Sequence, residues 1–213
     1  DVTYGGNSYG GAIYSQGSTL IINDCYFDNN SGNIQGGAIH SNNGDLKVYN
    51  SDFRNNTANY NSGSSRGGAI MYNAGSSEDS LIIDRSIFMD NSVQTGNNTG
   101  RGGAVYANYG ITKITNSLIS ENRAWRYPGV YAYNGDSLYV EHSTIVNNTS
   151  YDTDNGGYAD VYIYGPNNGS YIKNSITDYT TYNGNNAPDP VTVSVMSEGS
   201  ARFVDPEGGD YRL

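Results

Sequence analysis

The sequence predicts a single all-β domain folded as a parallel β-helix, a solenoid in which every coil pairs with the next. Two observations lead to this fold. A short glycine-rich motif recurs along the chain at variable intervals, and similar residues recur at fixed positions after it. Internal repetition of this kind is typical of repeat architectures. The 213 residues are long enough to bury one continuous core.

The glycine-rich motif marks the start of each predicted coil. The coils are predicted to begin near residues 10 (GGAIY), 36 (GGAIH), 67 (GGAIM), 102 (GGAVY), 128 (PGVYA) and 156 (GGYAD). A stacked β-coil tolerates such unequal intervals because its corners absorb insertions. We expect Gly10 and Gly11 to form a turn that no Cβ can enter, and Ala12 to permit a close approach between coils.

Four ladders of similar side chains are predicted inside the stack, on strands that alternate with a period of two. Two are mainly aliphatic: Leu20, Leu46, Leu81, Thr112, Leu138, and Ile22, Val48, Ile83, Ile114, Val140, Ile172. The third contains small residues: Cys25, Ser51, Ser86, Ser117, Ser143, Ser175. The fourth is Phe27, Phe53, Phe88, Ile119, Ile145. Antiparallel sandwiches and barrels give no reason for such recurrence.

An asparagine follows each member of the fourth ladder by three residues. These residues are Asn30, Asn56, Asn91, Asn122 and Asn148. Asparagine tolerates the left-handed backbone conformation, so we expect these residues to form the turn. Their stacked amides are expected to hydrogen-bond from coil to coil, as a scaffold and not as a binding site.

The last predicted coil is irregular. Thr177 stands where the fourth ladder would place Phe or Ile, so the core is expected to narrow there. The domain is predicted to span residues 1–213 and to end in an irregular closing segment, 187–213. Within or near that segment the expected cap residues are Val191, Val193, Val195 and Phe203.

These motifs resemble a known group of repeats. The pattern GGAI, followed by L-x-V/I and F-x-N-N, is similar to repeats in adhesin-like surface proteins of methanogenic archaea and in bacterial polymorphic outer-membrane proteins. The tail RFVDPEGGDYRL resembles the closing stretch of many such domains. The resemblance implies a single-stranded right-handed parallel β-helix, secretion, surface display and structural or adhesive work. It supplies no catalytic residues.

Composition excludes several kinds of partner. The net charge of −10 argues against nucleic acid or an anionic membrane as the main partner. No apolar run is long enough to span a bilayer, so membrane insertion is not expected. Cys25 is the single cysteine, which excludes an intramolecular disulfide and a cysteine-based zinc site.

The sequence favours a protein that is not an enzyme and has no metal or cofactor. Hydrolases and lyases with this fold need clustered carboxylates, but the acidic residues Asp24, Asp52, Asp84, Glu121 and Glu141 are scattered over different positions of the coils. His40 and His142 lack a second ligand at metal-binding spacing and are expected at the surface or at corners. A polysaccharide lyase or hydrolase with an unrecognised site stays an alternative.

Two sets of residues are candidates for modification or contact. Sequons begin at Asn29, Asn55, Asn97, Asn147, Asn148 and Asn168. We hypothesise glycosylation of some of them, with Asn29, Asn55, Asn97, Asn147 and Asn168 as the candidates, if the protein is secreted by an archaeal or eukaryotic cell. Outward tyrosines, such as Tyr106 and Tyr109, are expected to form aromatic patches. The densest segment supplies a candidate patch for protein or glycan contact: Trp125, Tyr127, Tyr131 and Tyr133.

The leading functional hypothesis is self-assembly. The chain opens with DVTYGG, which supplies no polar capping helix, and an uncapped solenoid edge can pair with another copy. Head-to-tail or lateral contacts would then build a cell-surface layer, sheath or filament. The alternative is an adhesin domain that binds glycans of a host or a neighbouring cell.

Overall fold

A computed structural model describes residues 9–60, 63–95, 98–135, 137–152, 159–165, 169–177, 180–183 and 191–193. Strands, turns and bends make up these residues, and none of them belongs to a helix that could cross a membrane. The predicted coil start at residue 156 lies outside the described residues, as do Val195 and Phe203 of the predicted cap.

The first three coils contribute four short strands each. The first coil contains β1 (Ile13–Gln16), β2 (Leu20–Asn23), β3 (Tyr26–Asp28) and β4 (Ser31–Gly32). The second contains β5 (Ile39–Asn42), β6 (Leu46–Tyr49), β7 (Asp52–Arg54) and β8 (Thr57–Tyr60). The third contains β9 (Ile70–Asn73), β10 (Ser80–Asp84), β11 (Ile87–Met89) and β12 (Ser92–Thr95).

The later coils repeat this order. The fourth contains β13 (Val105–Asn108), β14 (Ile111–Thr115), β15 (Leu118–Ser120) and β16 (Arg123–Ala124). The fifth contains β17 (Val130–Tyr133), β18 (Ser137–Glu141), β19 (Thr144–Val146) and β20 (Thr149–Ser150). The sixth contains β21 (Val161–Tyr164), β22 (Tyr171–Lys173) and β23 (Ile176–Thr177), and β24 (Thr180–Asn183) and β25 (Val191–Val193) follow it.

Equivalent strands of successive coils pair in parallel and form four sheets. Sheet 1 has the order β1-β5-β9-β13-β17-β21-β24, and sheet 2 has the order β2-β6-β10-β14-β18-β22-β25. Sheet 3 contains β3-β7-β11-β15-β19-β23, and sheet 4 contains β4-β8-β12-β16-β20. The fold is therefore the right-handed parallel β-helix of about six coils that the sequence predicts.

The register confirms the four predicted ladders. Leu46 pairs with Leu20 and Leu81, and Phe53 pairs with Phe27 and Phe88. The three phenyl rings stack with centroids 4.6 Å apart and interplanar angles of 7° and 2°. This distance is close to the spacing of hydrogen-bonded strands, so the rings follow the rise of the coils. Thr177 pairs with Ile145, in the fourth-ladder position that the sequence assigns to it.

The asparagine column is confirmed as a scaffold, but its members do not form the turn. The Asn56 amide nitrogen donates to Asn91 Oδ1 (2.8 Å) and to the Phe27 carbonyl (3.0 Å), and the backbone N–H of Asn56 donates to the same Asn91 Oδ1 (3.0 Å). The left-handed conformation belongs instead to the preceding residue, for example Asn55 (φ 54°). The turn falls there because each column asparagine must point inward to bond its neighbours.

The paired glycines behave as the sequence predicts. In the third coil, Gly67 has φ 66°, which a residue with a Cβ adopts only at a cost. A Cβ on Gly68 would lie 2.0 Å from the carbonyl oxygen of Gly103 in the next coil. The first glycine therefore makes the turn, and the second allows the coils to stack.

The glycine motif of the fifth coil is replaced one residue earlier than the sequence suggests. Val105 pairs with Val130, so the residue equivalent to Gly102 is Tyr127 and not Pro128. Tyr127 has φ 55° in place of the glycine. A bulky residue in this conformation is uncommon.

Candidate functional site

The outer face of sheet 1 carries a continuous row of large side chains. The register aligns Tyr14, His40, Met71, Tyr106, Tyr131 and Tyr162 in successive coils. All of them except Tyr14 are buried, although they point away from the central core. The side chains on both faces of these strands are therefore covered.

Arginines flank this row and help to cover it. Residues immediately before the glycine motifs form a column of parallel bridges: Tyr9, Gln35, Arg66, Arg101 and Arg126. The guanidinium carbon of Arg66 lies 5.1 Å from the ring centroid of Tyr106, and that of Arg101 lies 5.7 Å from the ring centroid of Tyr131. These are cation–π distances. Each arginine therefore covers the tyrosine of the following coil.

The three arginines differ in how their charge is compensated. Arg126 Nε contacts the carboxylate of Asp152, which is buried. Arg66 and Arg101 form no ion pair with any residue in the described part of the chain. Two neighbouring cations of the column therefore lack a carboxylate partner there.

A column of amides follows the row of large side chains two residues further along β5, β9 and β13. Asn73 donates to Asn42 Oδ1 at 2.7 Å, and Asn108 donates to Asn73 Oδ1. These side chains are half-buried, so their remaining donor and acceptor positions face outward.

A groove of about 330 Å³ lies between these columns at the coils nearest the N-terminus. We call it the sheet 1 groove. It is lined by Tyr9, Tyr14, Gln35, His40, Asn42, Arg66, Met71, Asn73 and Asn108. The lining combines aromatic, amide and cationic groups, and no carboxylate is found among its described residues.

His40 lies at the bottom of this groove, and the expectation of a surface or corner position for it is wrong. Its imidazole is 6% exposed and meets the rings of Tyr9 and Tyr14 edge-on, at 5.0 and 5.4 Å. Burial lowers the pKa of His40 to about 4, so the ring is neutral at physiological pH. His142, by contrast, is exposed at a corner, as expected.

Three buried polar atoms in and beside the groove have no hydrogen-bond partner within the described ranges: His40 Nδ1, Arg101 Nε and Tyr106 Oη. Burial also raises the pKa of Tyr106 to about 12, so its hydroxyl stays protonated. Most buried polar atoms in proteins are paired, and those that are not require an explanation.

The predicted contact patch does not form one exposed surface. Trp125 lies half-buried beside Val93 and Tyr151, in a separate depression of about 330 Å³. Tyr127 stacks on Tyr162 with ring centroids 3.7 Å apart, and Tyr131 is 2% exposed. Tyr133 and Tyr127 are half-buried against the same aromatic cluster as Tyr131. The buried tyrosines Tyr106 and Tyr131 therefore do not offer the exposed rings that the sequence suggests.

The carboxylates are held in separate structural contacts. Burial alone would raise the pKa of Asp84, but hydrogen bonds from Asn116 and Thr115 and the charge of Arg85 lower it. A hydrogen bond from Tyr171 lowers the pKa of Glu141. Among the described residues, no three His, Cys, Asp or Glu side chains come together as a metal site.

Three of the candidate glycosylation sites share one corner of the β-helix. Asn29, Asn55 and Asn147 are exposed, with φ values of 55°, 54° and 56°, between sheets 3 and 4. Asn97 and Asn168 lie outside the described residues. Asn148, which also begins a sequon, belongs to the inward amide column.

Comparison with known proteins identifies one repeat. Residues 24–42 match the family model of the Chlamydia polymorphic membrane protein repeat. This segment runs from the end of the first coil through the second glycine motif into β5. The match supports the resemblance to bacterial polymorphic outer-membrane proteins, whereas the resemblance to archaeal adhesin-like proteins has no such support. Neither the curated proteins nor the solved structures searched gave a match.

Proposed function

We propose that this chain is a β-helical module displayed on a cell surface, where it serves in adhesion and binds its target without transforming it. The sheet 1 groove is the observation that carries the proposal. Its aromatic rings, amides and unpaired cation are groups that recognise a ligand by stacking and hydrogen bonding.

Surface display is supported by the match of residues 24–42 to a repeat named for a membrane protein family. The repeat includes the F-x-N-N and GGAI motifs on which the coils are built. The same match favours a secreted or surface location for the protein.

A binding role is favoured over catalysis by the chemistry of the groove. Hydrolysis of a glycosidic bond commonly uses a pair of carboxyl groups a few ångströms apart. The part of the lining that the structure describes has no carboxylate, and its histidine, His40, is neutral and enclosed by aromatic rings. The alternative function is that of a lyase or hydrolase, which would cleave its glycan and release smaller products.

The experiment measures retention of the purified chain on a panel of immobilised glycans and matrix polypeptides, followed by mass analysis of each soluble ligand. The expected result is saturable retention on at least one surface, with the ligand mass unchanged. If the mass analysis shows that a ligand is cleaved, the proposed function is catalysis and not adhesion. Absence of retention on every surface would overturn the adhesive role.

Self-assembly is the second candidate function. Ile21 and Tyr26, on the first coil, are 62% and 63% exposed, and such side chains can pack against a second copy. Sedimentation velocity and electron microscopy at increasing concentration test this role. Filaments or sheets that disappear in the double variant Ile21→Lys, Tyr26→Lys would support it, and a monomer at high concentration would exclude it.

A further inference from the structure

We propose that the sheet 1 groove binds a glycan chain that carries carboxylates and lies along the axis of the β-helix. Its acidic groups contact Arg66 and Arg101, and its sugar rings contact the tyrosines and the amide column. This inference rests on the proposed adhesive function and names the class of its ligand.

Charge is the first argument. The chain has 21 acidic residues and 11 basic ones, yet Arg66 and Arg101 are neighbours in one column and form no ion pair with any described residue. Two adjacent like charges repel each other. An anionic group between them would compensate both charges, as Asp152 does for Arg126. A guanidinium group also binds a carboxylate through two parallel hydrogen bonds.

The unpartnered buried atoms are the second argument. His40 lines the groove, whereas Arg101 Nε and Tyr106 Oη are buried beside its lining, where the two arginines cover the row of tyrosines. The Nε–H and the hydroxyl can donate hydrogen bonds, and the neutral imidazole can donate or accept one. A carboxylate and sugar hydroxyls supply the matching acceptors and donors.

The repeat distance is the third argument. Equivalent side chains of successive coils are separated by about 4.8 Å, which is similar to the length of one sugar unit in an extended polysaccharide. The amides of Asn42, Asn73 and Asn108 follow this spacing. A glycan parallel to the axis therefore meets an amide at each of these three coils.

The net charge of the chain disfavours long polyanions such as nucleic acid and leaves short acidic oligosaccharides, which carry few charges in total, as ligands. A protein of net charge −10 repels a dense polyanion. Salt screens this repulsion beyond about 8 Å at physiological ionic strength, so the local arginines decide binding of a ligand with few charges.

The test is isothermal titration calorimetry of the whole chain with tetragalacturonate and with maltotetraose, a neutral oligosaccharide of equal length. We expect tetragalacturonate alone to bind, and its affinity to fall as NaCl is raised. Arg66→Gln is expected to weaken binding at least tenfold. Arg54→Gln is the matched control, because Arg54 is paired with Asp52 on sheet 3, away from the groove. Binding by that variant should be unchanged.

A second variant keeps the test independent of folding defects. Tyr14 is 49% exposed, so Tyr14→Ala should preserve the fold, as circular dichroism can verify, and still weaken binding. Three outcomes would each overturn the inference. The two oligosaccharides could bind equally well, a folded Arg66→Gln variant could bind tetragalacturonate with undiminished affinity, or an octathymidylate could bind more tightly than tetragalacturonate. If tetragalacturonate does not bind but the chain is retained on another immobilised ligand, the proposal of an acidic glycan is wrong and the proposed adhesive function still stands.

Discussion

At the scale of single residues, His40 shows how position on the coil overrides residue type. Histidine at this spacing suggests an exposed corner, but sheet 1 is covered on both faces, and the rings of Tyr9 and Tyr14 enclose the imidazole. The next residue in the same row is Met71. An apolar side chain is therefore compatible with this environment, and a charged imidazole is not.

This environment makes stability depend on pH. The pKa of His40 is lowered from 6.5 to about 4 in the folded chain, so below pH 6.5 protons bind preferentially to the unfolded chain. Relative to His40→Met, the wild type should lose roughly 2 to 3 kcal/mol of unfolding free energy between pH 7.5 and pH 4.5. Urea denaturation at both pH values measures the loss. Identical pH profiles of the two proteins would contradict the prediction.

Tyr127 shows where a motif in the sequence misleads. Proline and glycine at 128 and 129 suggest a motif that begins at Pro128, but the pairing of Val105 with Val130 places Tyr127 at the first position. A tyrosine there cannot be expected from sequence, because it requires a left-handed backbone. The stacking of its ring on Tyr162 holds it in place and depends on the following coil.

At the scale of elements, the sequence predicts the ladders well because each coil repeats the same residue types. Leu46 and Val48 are buried, alternate with half-buried neighbours and face equivalent residues in adjacent coils. The sequence does not predict the sheet 1 groove in the same way. The side chains of Tyr14, His40 and Met71 occupy equivalent positions in successive coils but share no common chemistry. The sequence signal that could have located it is the arginine before the motifs at 67 and 102.

The asparagine column is an element whose contribution can be measured. Asn91 is fully buried, accepts two hydrogen bonds from Asn56 and donates to Asn122 Oδ1 and to the Phe53 carbonyl. Asn91→Ala removes both acceptor bonds to Asn56 and the two donor bonds of Asn91, and it leaves the buried backbone N–H of Asn56 unpaired, so it should lower the free energy of unfolding by about 2–4 kcal/mol. Chemical denaturation measures the loss.

Asn30→Ala is the control for this column. Asn30 is half-buried at the end of the column, and without its side chain Asn56 Oδ1 still accepts from the Asn30 backbone N–H. The loss should be below about 1 kcal/mol. Equal losses for the two variants would show that the buried amide bonds do not carry the stability of the column.

At the scale of the whole molecule, the repeat places three sequons along one corner. Asn29, Asn55 and Asn147 are exposed in equivalent turns, whereas the Asn148 amide is bonded inside the column. Expression through a eukaryotic secretory pathway should therefore add glycans at the first three and none at Asn148. Intact-mass and peptide mass spectrometry locate them, with Asn→Gln variants as controls. A mass equal to the 22.9 kDa polypeptide would reject glycosylation of this corner.

The parallel pairing of neighbouring coils also determines how this molecule would respond to mechanical load. Each coil is bonded only to the coils before and after it, so tension along the chain would peel one coil at a time. A released coil of about 26 residues would add roughly 80 Å of extended chain. A surface protein built in this way could lengthen stepwise under shear and dissipate force while its remaining coils stay folded.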